Sequence, residues 1–450
     1  MKKLFTFLLA LSAATAFCHA QDNTSDQYEW PTDPAVLEKL DRWQDQKFGV
    51  LIHWGLYSVP GIVESWSICN EDWIVRPEGS AYEAYKQWYW GLSQTFNPVD
   101  FNPGQWARVF RNAGMKYMIF TTKHHDGFCL FDSEWTDFSI ARGPFGNSPL
   151  KDAARDVFEA FRAQHFMVGA YFSKPDWHHH GFWNPYYATP DRRINYKKER
   201  HPDWWDSYVT YTQNQLRELT GGRYGQLDIL WLDGGWIRGD EVGLDGILPQ
   251  ARRVSPGLIC VDRTIQGPNE NYQTPEQSIP ARQLDHPWES CISLGDDWGW
   301  TPDPHYKSAR TVIGLLAQIS AKGGCLALGV GPTGNGIIEA PAVAILTEIG
   351  QWLSRCGEAI YGTRITPAYE DGQMWFSAHK NGRTRYAVYA LADGEKLPEK
   401  LTWHGNLPTG KVTILNNGMT LRPVIKDGVV TLRLPKGVPQ EPVALKFDCK

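Results

Sequence analysis

The sequence predicts a (β/α)8-like barrel, an α/β fold, followed by a C-terminal antiparallel β-sandwich. Strand-like apolar runs alternate with helical patterns from FGVLIHWG (residues 48–55) to about residue 356. Near-continuous apolar strands indicate a parallel sheet that is buried on both faces. Beyond about Thr366 the pattern changes to short alternating strands with Asn-Gly and Asp-Gly turns, which are typical of antiparallel hairpins.

The barrel strands are separated by segments with helical periodicity or helix-capping residues. In PGQWARVFRNAG, Asn102 is a predicted N-cap and Pro103 begins the helix. A second helix is predicted to open at Ser148 and Pro149. The later helices are predicted at about 204–219, 306–321 and 342–356. The strands after the first are YMIFTTKHHDGF, FMVGAYFS, LDILWLDGG, GLICVDRT, QLDHPWES and CLALGVGP.

The C-terminal region predicts hairpins. One is centred on Asn381-Gly382, and two more lie in KVTILNNGMTLRPVIKDGVVTLRL. The predicted division of the chain is therefore a signal peptide at residues 1–20, a catalytic barrel at 21–364 and a β-sandwich at 365–450.

The first twenty residues indicate export. MKKLFTFLLALSAATAFCHA has a basic start, an apolar run and a small residue at its end, which predicts a cleaved signal peptide and a periplasmic protein. The formal net charge of -5 and the absence of a long Lys/Arg run argue against nucleic acid as a partner. No later apolar run is long enough to span a bilayer, so membrane insertion is not expected. The sequence leaves the oligomeric state open.

Cysteine and tryptophan content limit the class of site. Seven of the eight cysteines follow residue 20, at wide spacings and without a CxxC pair, so neither a disulfide scaffold nor a zinc site is indicated. The 21 tryptophans are the compositional outlier. They fit large cores, and they also fit flat aromatic faces that stack on sugar rings.

Polar side chains follow most of the predicted barrel strands. His53 follows the first strand, His124 and His125 the second, and Tyr171 lies in the third. The remaining strand ends carry Trp231 and Asp233, Asp262 and Arg263, and Trp288 and Glu289. Because barrel chemistry collects at the carboxyl ends of the strands, these side chains predict an active site on one rim.

Asp233 and Glu289 are the predicted pair of catalytic carboxyl groups. Asp233 ends an apolar strand and is followed by two glycines, which suits an attacking carboxylate, although a turn or N-cap aspartate gives the same pattern. Hydrolysis of a glycosidic bond needs a second carboxyl group to protonate the leaving oxygen, and Glu289 beside Trp288 is the candidate. Glu270, Asp285, Asp296 and Asp297 remain competitors for that second role.

The histidine pair leaves three interpretations open. His124 and His125 could be buried loop histidines, could line a ligand pocket where Asp126-Gly127 breaks the strand, or could bind a metal together with His53. The sequence lacks the HxH, HExxH and His-carboxylate spacings of barrel metallohydrolases. These absences argue against the metal interpretation.

Four segments in order carry a family resemblance. FGVLIHWGLYSVPG, KYMIFTTKHHDGFCLFDS, ILWLDGGW and ISAKGGCLALGVGPTGNGII resemble the α-L-fucosidases of glycoside hydrolase family twenty-nine, over about residues 43–361. The resemblance implies a retaining, two-step displacement on fucosylated glycans, with Asp233 as nucleophile and Glu289 as acid/base. It implies no metal and no organic cofactor. The segment HPWESCISLGDDWGW resembles the branch that cleaves α-1,3/1,4 linkages.

The resemblance also implies a sugar pocket. Its residues would be His53, Glu64, Trp66, His124, His125, Tyr171, Trp231, Arg263 and Trp298, the last near the C5 methyl group. The alternatives are a related sugar such as α-L-galactose, a catalytically silent carbohydrate-binding protein, and a metallohydrolase that uses His53, His124, His125 and Asp233 as ligands.

Overall fold

The computed structural model describes residues 27–189 and 191–449. Its larger unit is built on seven parallel strands, β1 (Phe48–Ile52), β2 (Tyr117–Lys123), β3 (Met167–Ser173), β4 (Ile229–Asp233), β5 (Ile259–Asp262), β6 (Glu289–Ser293) and β7 (Cys325–Gly329). They form one sheet in the order β5-β4-β3-β2-β1-β7-β6. Every residue of these strands is buried except Asp233, whose side chain is 13% exposed. This confirms the predicted parallel sheet with both faces covered.

An extended segment, residues 269–277, lies between the two edge strands. The backbone N–H of Asn271 donates to the carbonyl oxygen of Cys260 on β5 at 2.9 Å, and the N–H of Glu289 on β6 donates to that of Gln273 at 2.8 Å. The segment pairs antiparallel with β5 and parallel with β6. It occupies the position of an eighth strand, so the predicted (β/α)8-like architecture is confirmed with one irregular position.

Eight helices are described, mostly between the barrel strands. They are α1 (Pro34–Gln46), α2 (Tyr82–Gly91), α3 (Pro103–Asn112), α4 (Ala153–Ala163), α5 (Pro202–Thr220), α6 (Leu244–Val254), α7 (Ala309–Ala321) and α8 (Ala340–Cys356). The predicted cap of α3 is confirmed, because Oδ1 of Asn102 accepts from the N–H of Gln105 at 2.9 Å.

Two predicted boundaries were wrong. The helix expected at Ser148 begins at Ala153, because Oγ of Ser148 accepts from the N–H of Leu150 and holds a turn there. The strand predicted to end at Trp288 and Glu289 instead begins at Glu289. Pro287 precedes it, and a proline cannot donate a hydrogen bond to the ladder.

The C-terminal unit is antiparallel, as predicted. One sheet has the order β14-β13-β17-β11-β10-β8 with β9 paired to β10, and a three-stranded sheet has the order β12-β16-β15. The strands are β8 (Thr363–Arg364), β9 (Glu370–Asp371), β10 (Met374–His379), β11 (Thr384–Tyr389), β12 (Lys400–His404), β13 (Val412–Ile414), β14 (Thr420–Leu421), β15 (Val424–Lys426), β16 (Val429–Arg433) and β17 (Val443–Asp448). The hairpin at Asn381-Gly382 joins β10 to β11.

The C-terminal sheets pack directly on the barrel. Tyr386, Val388 and Ala444 belong to the same apolar core as the outer faces of the barrel strands. Nε1 of Trp352 on α8 donates to the carbonyl oxygen of Pro442 at 2.7 Å. The sandwich therefore covers apolar surface of α7 and α8.

Within the described ranges, we find no helix with the length and apolarity needed to cross a bilayer. The seven cysteines of this part of the chain, Cys69, Cys129, Cys260, Cys291, Cys325, Cys356 and Cys449, are free thiols. The predicted signal peptide, residues 1–20, lies outside the described residues and stays a prediction.

Candidate active site

A cavity of about 600 Å³ opens at the carboxyl ends of the barrel strands. Most of the residues predicted for the site line it, namely His53, Trp66, His124, His125, Tyr171, Trp231, Asp233, Arg263 and Trp298. Four predicted residues, Glu64, Asp262, Trp288 and Glu289, are not among its lining residues. The other polar and aromatic lining residues are Glu71, Arg192, Arg193, Trp236, Thr264 and Glu276.

Asp233 is the last residue of β4, and its carboxylate is held by two side chains. Its Oδ2 accepts a 2.6 Å hydrogen bond from the hydroxyl of Tyr171, and its Oδ1 accepts a 3.0 Å hydrogen bond from Nη1 of Arg263. Burial alone would raise the pKa of Asp233, but the charge of Arg263 and the hydrogen bond of Tyr171 hold it well below its usual range. The group is therefore a fixed, ionised carboxylate.

The glycines after Asp233 allow the chain to turn beside it. Gly234 has φ +83°, and a Cβ at this position would overlap the ring of Pro175. Only glycine adopts this conformation without steric cost. The positive φ and the close contact with Pro175 explain why a glycine follows Asp233.

The three histidines of the site are uncharged at neutral pH. Burial lowers the pKa of His53 to about 3 and that of His125 to about 4, and it lowers the pKa of His124 well below the usual value. Nδ1 of His124 bonds to the hydroxyl of Ser65, and Nδ1 of His125 bonds to that of Ser173. One ring nitrogen of each is left for a ligand, as a donor or an acceptor.

Besides Glu71, Glu276 is the carboxyl group that shares the cavity with Asp233. It lies on the extended segment that replaces the eighth strand. Its Oε2 accepts from Nη2 of Arg263, and its Oε1 accepts a 3.2 Å hydrogen bond from Nε1 of Trp298. The guanidinium of Arg263 thus spans Asp233 and Glu276. Retaining glycosidases hold two carboxyl groups about 5 Å apart, a separation that one bridging guanidinium can span.

Glu289 lies elsewhere. It is the first residue of β6, at the opposite end of the strand from the cavity, and it is fully buried. Its Oε1 accepts from Nε1 of Trp231 at 3.2 Å, beneath the cavity. Burial raises the pKa of Glu289 to about 7, but the carboxyl group does not reach the cavity surface. Its position does not fit the acid/base role expected from the sequence.

Glu64 is also buried away from the cavity surface. Its Oε1 accepts a 2.6 Å hydrogen bond from the N–H of Gly299, next to Trp298. Burial raises the pKa of Glu64 to about 8. The contact places Glu64 behind the loop that carries Trp298, where it positions that ring.

No regular pattern in the sequence points to Glu276. The segment NYQTPEQSIP has neither alternating apolar residues nor a helical period, so no element is predicted there. One signal was available. Because Pro287 excludes Glu289 from the end of a strand, a carboxylate in the preceding loop becomes the natural second candidate.

The outer wall of the cavity carries an ion pair. Nε of Arg192 donates to Oε1 of Glu71 at 2.8 Å. This hydrogen bond lowers the pKa of Glu71, against the effect of burial. Glu71 therefore stays ionised and holds Arg192 at the cavity wall.

His124, His125 and Asp233 are the one group of possible metal ligands found among the described residues. Each offers a ligand atom, and these atoms lie within 4.8 Å of one another. However, Oδ1 of Asp233 already accepts from the Arg263 guanidinium at 3.0 Å. A positive charge so close to a ligand oxygen repels a metal cation, so the donor set fits a metal poorly.

Comparisons with known proteins agree on one family. A family model described as alpha-L-fucosidase matches residues 15–358. Human plasma alpha-L-fucosidase is 27% identical over 402 residues, which cover 83% of this chain and 80% of the relative. Alpha-L-fucosidase isoenzyme 1 from Paenibacillus thiaminolyticus has a TM-score of 0.76 at 26% identity and covers 92% of this chain and 100% of its own. The Thermotoga maritima alpha-fucosidase in complex with fucose has a TM-score of 0.73 at 26% identity, with 92% and 98% covered.

Proposed function

Since the chain belongs to the α-L-fucosidase family of glycoside hydrolases, we propose that it releases terminal L-fucose with retention of configuration, using Asp233 and Glu276. The observation that carries this proposal is the single guanidinium of Arg263 that contacts both carboxyl groups. Their shared position in the cavity supports Glu276 rather than Glu289 as the acid/base.

In the first step an Oδ atom of Asp233 attacks the anomeric carbon. The bond from that carbon to the aglycone oxygen breaks, and a protonated Glu276 gives its proton to the departing oxygen. The product is a fucosyl ester of Asp233. The ionised state of this carboxylate, fixed by Arg263 and Tyr171, supports its role as the nucleophile.

In the second step water attacks the same carbon. Its proton passes to Glu276, the ester bond breaks, and fucose leaves with the configuration it had in the substrate. The neutral side chains of His53, His124 and His125 supply donors and acceptors for the sugar hydroxyls without adding charge beside the nucleophile.

A deoxy sugar fits one corner of the cavity. Leu51 and Cys291 line it together with the ring of Trp298 and form one apolar cluster. The C5 methyl group of fucose would bury there without an unpaired hydroxyl, whereas α-L-galactose would place a hydroxymethyl group against apolar atoms. This supports fucose over α-L-galactose. A preference for α-1,3/1,4 linkages stays part of the proposal, on the resemblance of residues 286–300 alone.

The test is the configuration of the first product and of azide adducts. Proton NMR of fucosyl fluoride hydrolysis should show α-L-fucose before mutarotation. With azide, Asp233→Gly should yield β-L-fucosyl azide, because azide attacks in place of the missing carboxylate. Glu276→Ala should yield the α-azide from the trapped ester. β-L-Fucose as the first product would overturn the retaining mechanism, and α-azide from Glu289→Ala instead would restore Glu289.

Chelation separates the metal alternative. Hydrolysis should be indifferent to EDTA, and added zinc should not stimulate it. Activity lost in EDTA and restored by zinc would favour a metallohydrolase at His124, His125 and Asp233. A folded protein that releases no fucose from any substrate would favour the carbohydrate-binding alternative.

We extend the proposal to location. Residues 1–20 would direct export and be removed in the periplasm. N-terminal sequencing of the mature protein from a periplasmic extract tests this. Recovery of the protein from the cytoplasmic fraction, with Met1 still at its N-terminus, would contradict it.

A further inference from the structure

A row of aromatic side chains leads out of the cavity. Trp66 and Trp236 line the cavity beside the ring of His125, and their own ring centroids are 5.8 Å apart. Trp73 continues the row with its ring 5.4 Å from that of Trp66, and it does not line the cavity itself. It is 51% exposed, so part of its ring is open to solvent.

The row is held in place by the ion pair at the mouth. The guanidinium of Arg192 lies 4.6 Å from the ring of Trp66 and 5.2 Å from that of Trp236. Glu71, two residues before Trp73, accepts from both Nε and the backbone N–H of Arg192. The two loops that carry these residues are thereby joined, so the exposed face of Trp73 belongs to a fixed wall.

The cavity is too large for one sugar. A volume of about 600 Å³ falls within the range of about 300–1,000 Å³ that takes drug-sized ligands, which are much larger than one deoxyhexose. Asp233 and the histidines occupy the buried floor, where the fucose must lie. The remaining space lies toward Arg192, Trp236 and the exposed Trp73.

We propose that Trp73, together with Arg192 and Trp236, forms a subsite for the pyranose ring to which the fucose is attached. The C–H face of that ring would lie on the indole of Trp73, and Arg192 would donate to its hydroxyls. This inference rests on the proposed function. It assigns a fucosylated oligosaccharide as the substrate, in preference to a fucoside of a small alcohol.

The test compares two substrates in two matched variants. Fucosyl fluoride has no aglycone ring, whereas a fucosylated trisaccharide, the best cleaved among the α-1,2, α-1,3 and α-1,4 isomers, has one. The variants are Trp73→Ala and Trp88→Ala. Trp88 is 46% exposed on α2, contacts Tyr85 and lies outside the cavity lining, so it controls for loss of an exposed indole.

The measured quantity is kcat/KM for the trisaccharide divided by kcat/KM for the fluoride. We expect this ratio to fall roughly five- to tenfold in Trp73→Ala, to recover in Trp73→Phe, and to stay at the wild-type value in Trp88→Ala. An unchanged ratio in Trp73→Ala would overturn the subsite. Absence of fluoride hydrolysis by the wild type would instead overturn the proposed function, so the two failures are distinguishable.

Discussion

Nη1 of Arg263 lies 3.0 Å from Oδ1 of Asp233, and Nη2 of the same guanidinium contacts Glu276. Asp233 is mostly buried, and burial disfavours a charged carboxylate. Arg263 therefore determines the protonation state of Asp233, the proposed nucleophile, as well as the relative position of the two carboxyl groups.

Arg263→Met should shift the ionisation of Asp233 into the measurable range of the pH profile. With the positive charge removed, burial is no longer opposed and the pKa of Asp233 rises. Since only the ionised carboxylate attacks, the acid limb of kcat/KM should move to higher pH. The maximum should also fall by about a hundredfold or more. The measurement is the pH profile of fucosyl fluoride hydrolysis in wild type and variant.

Arg193→Met is the control for that experiment. Arg193 also lines the cavity, but its side chain is 64% exposed and pairs with Asp191. Its removal should leave the acid limb in place. Equal shifts in both variants would mean that the general field of the cavity, and not the Arg263 contact, sets the pKa of Asp233.

Leaving-group dependence should distinguish the two candidate acids. Glu276→Gln cannot donate a proton, so cleavage of a poor leaving group such as a sugar should slow by about 10² to 10⁴. Hydrolysis of a dinitrophenyl fucoside, which leaves without a proton, should slow far less. The measurement is kcat/KM across a series of aryl fucosides and one trisaccharide.

Glu289→Gln is the matched variant in that series. Because Glu289 lies beneath the cavity, its substitution should give the same fractional change for every leaving group. A steep leaving-group dependence in Glu289→Gln, with none in Glu276→Gln, would return the acid/base role to Glu289.

The part of the site that follows regular strands could be predicted. His53, His124, Asp233 and Arg263 each lie at or just after the end of an apolar strand, and the periodicity of such strands is readable in one sequence. The histidine pair and the Gly-Gly turn both indicated this edge of the sheet as the location of the site. The antiparallel C-terminal unit was predicted because Asn-Gly and Asp-Gly turns have their own chemistry.

The second carboxyl group could not be predicted in this way. Glu276 lies on an extended segment that joins β5 to β6 by scattered backbone hydrogen bonds, and such a segment has no period. Glu289 was chosen because QLDHPWES was interpreted as a strand through Pro287. That error moved the residue from the start of β6 to its end. Tertiary closure of the barrel, which local pattern does not encode, decides which carboxylate reaches the cavity.

Gly234→Ala should impair both stability and activity. At φ +83° an alanine pays the cost of the left-handed region, about 1–2 kcal/mol, and its Cβ also overlaps Pro175. We expect a larger loss of unfolding free energy than that cost alone, with kcat reduced because Asp233 is the preceding residue. Urea denaturation and fucosyl fluoride kinetics measure the two effects.

Gly428→Ala is the control that separates the backbone cost of Gly234→Ala from its steric clash. Gly428 has φ +79° in the β15–β16 hairpin, and nothing lies within 4 Å of an added Cβ. An alanine at this position has the same backbone cost without a clash, and the position lies outside the cavity. Equal destabilisation of the two variants would show that the contact with Pro175 relaxes freely.

The buried carboxyl group of Glu289 should make the fold less stable as pH rises. Burial raises its pKa from 4.5 to about 7 in the folded chain. A raised pKa means that the folded state prefers the protonated form. Its contribution is therefore fully present below pH 4.5 and is lost as pH rises through about 7, on the order of 3 kcal/mol in total.

Glu289→Gln keeps the shape of the neutral carboxyl group but cannot ionise. The drop in unfolding free energy between pH 5 and 8, measured in urea, should thus be smaller in Glu289→Gln than in wild type. Glu64 and Asp126, whose pKa values burial raises to about 8 and about 7, leave a residual drop in both proteins. Glu348→Gln, on the exposed side of α8, should keep the full wild-type drop. An identical drop in wild type and Glu289→Gln would mean that Glu289 ionises in the folded protein as readily as in the unfolded chain, with Trp231 and Tyr272 sufficient to solvate its charge.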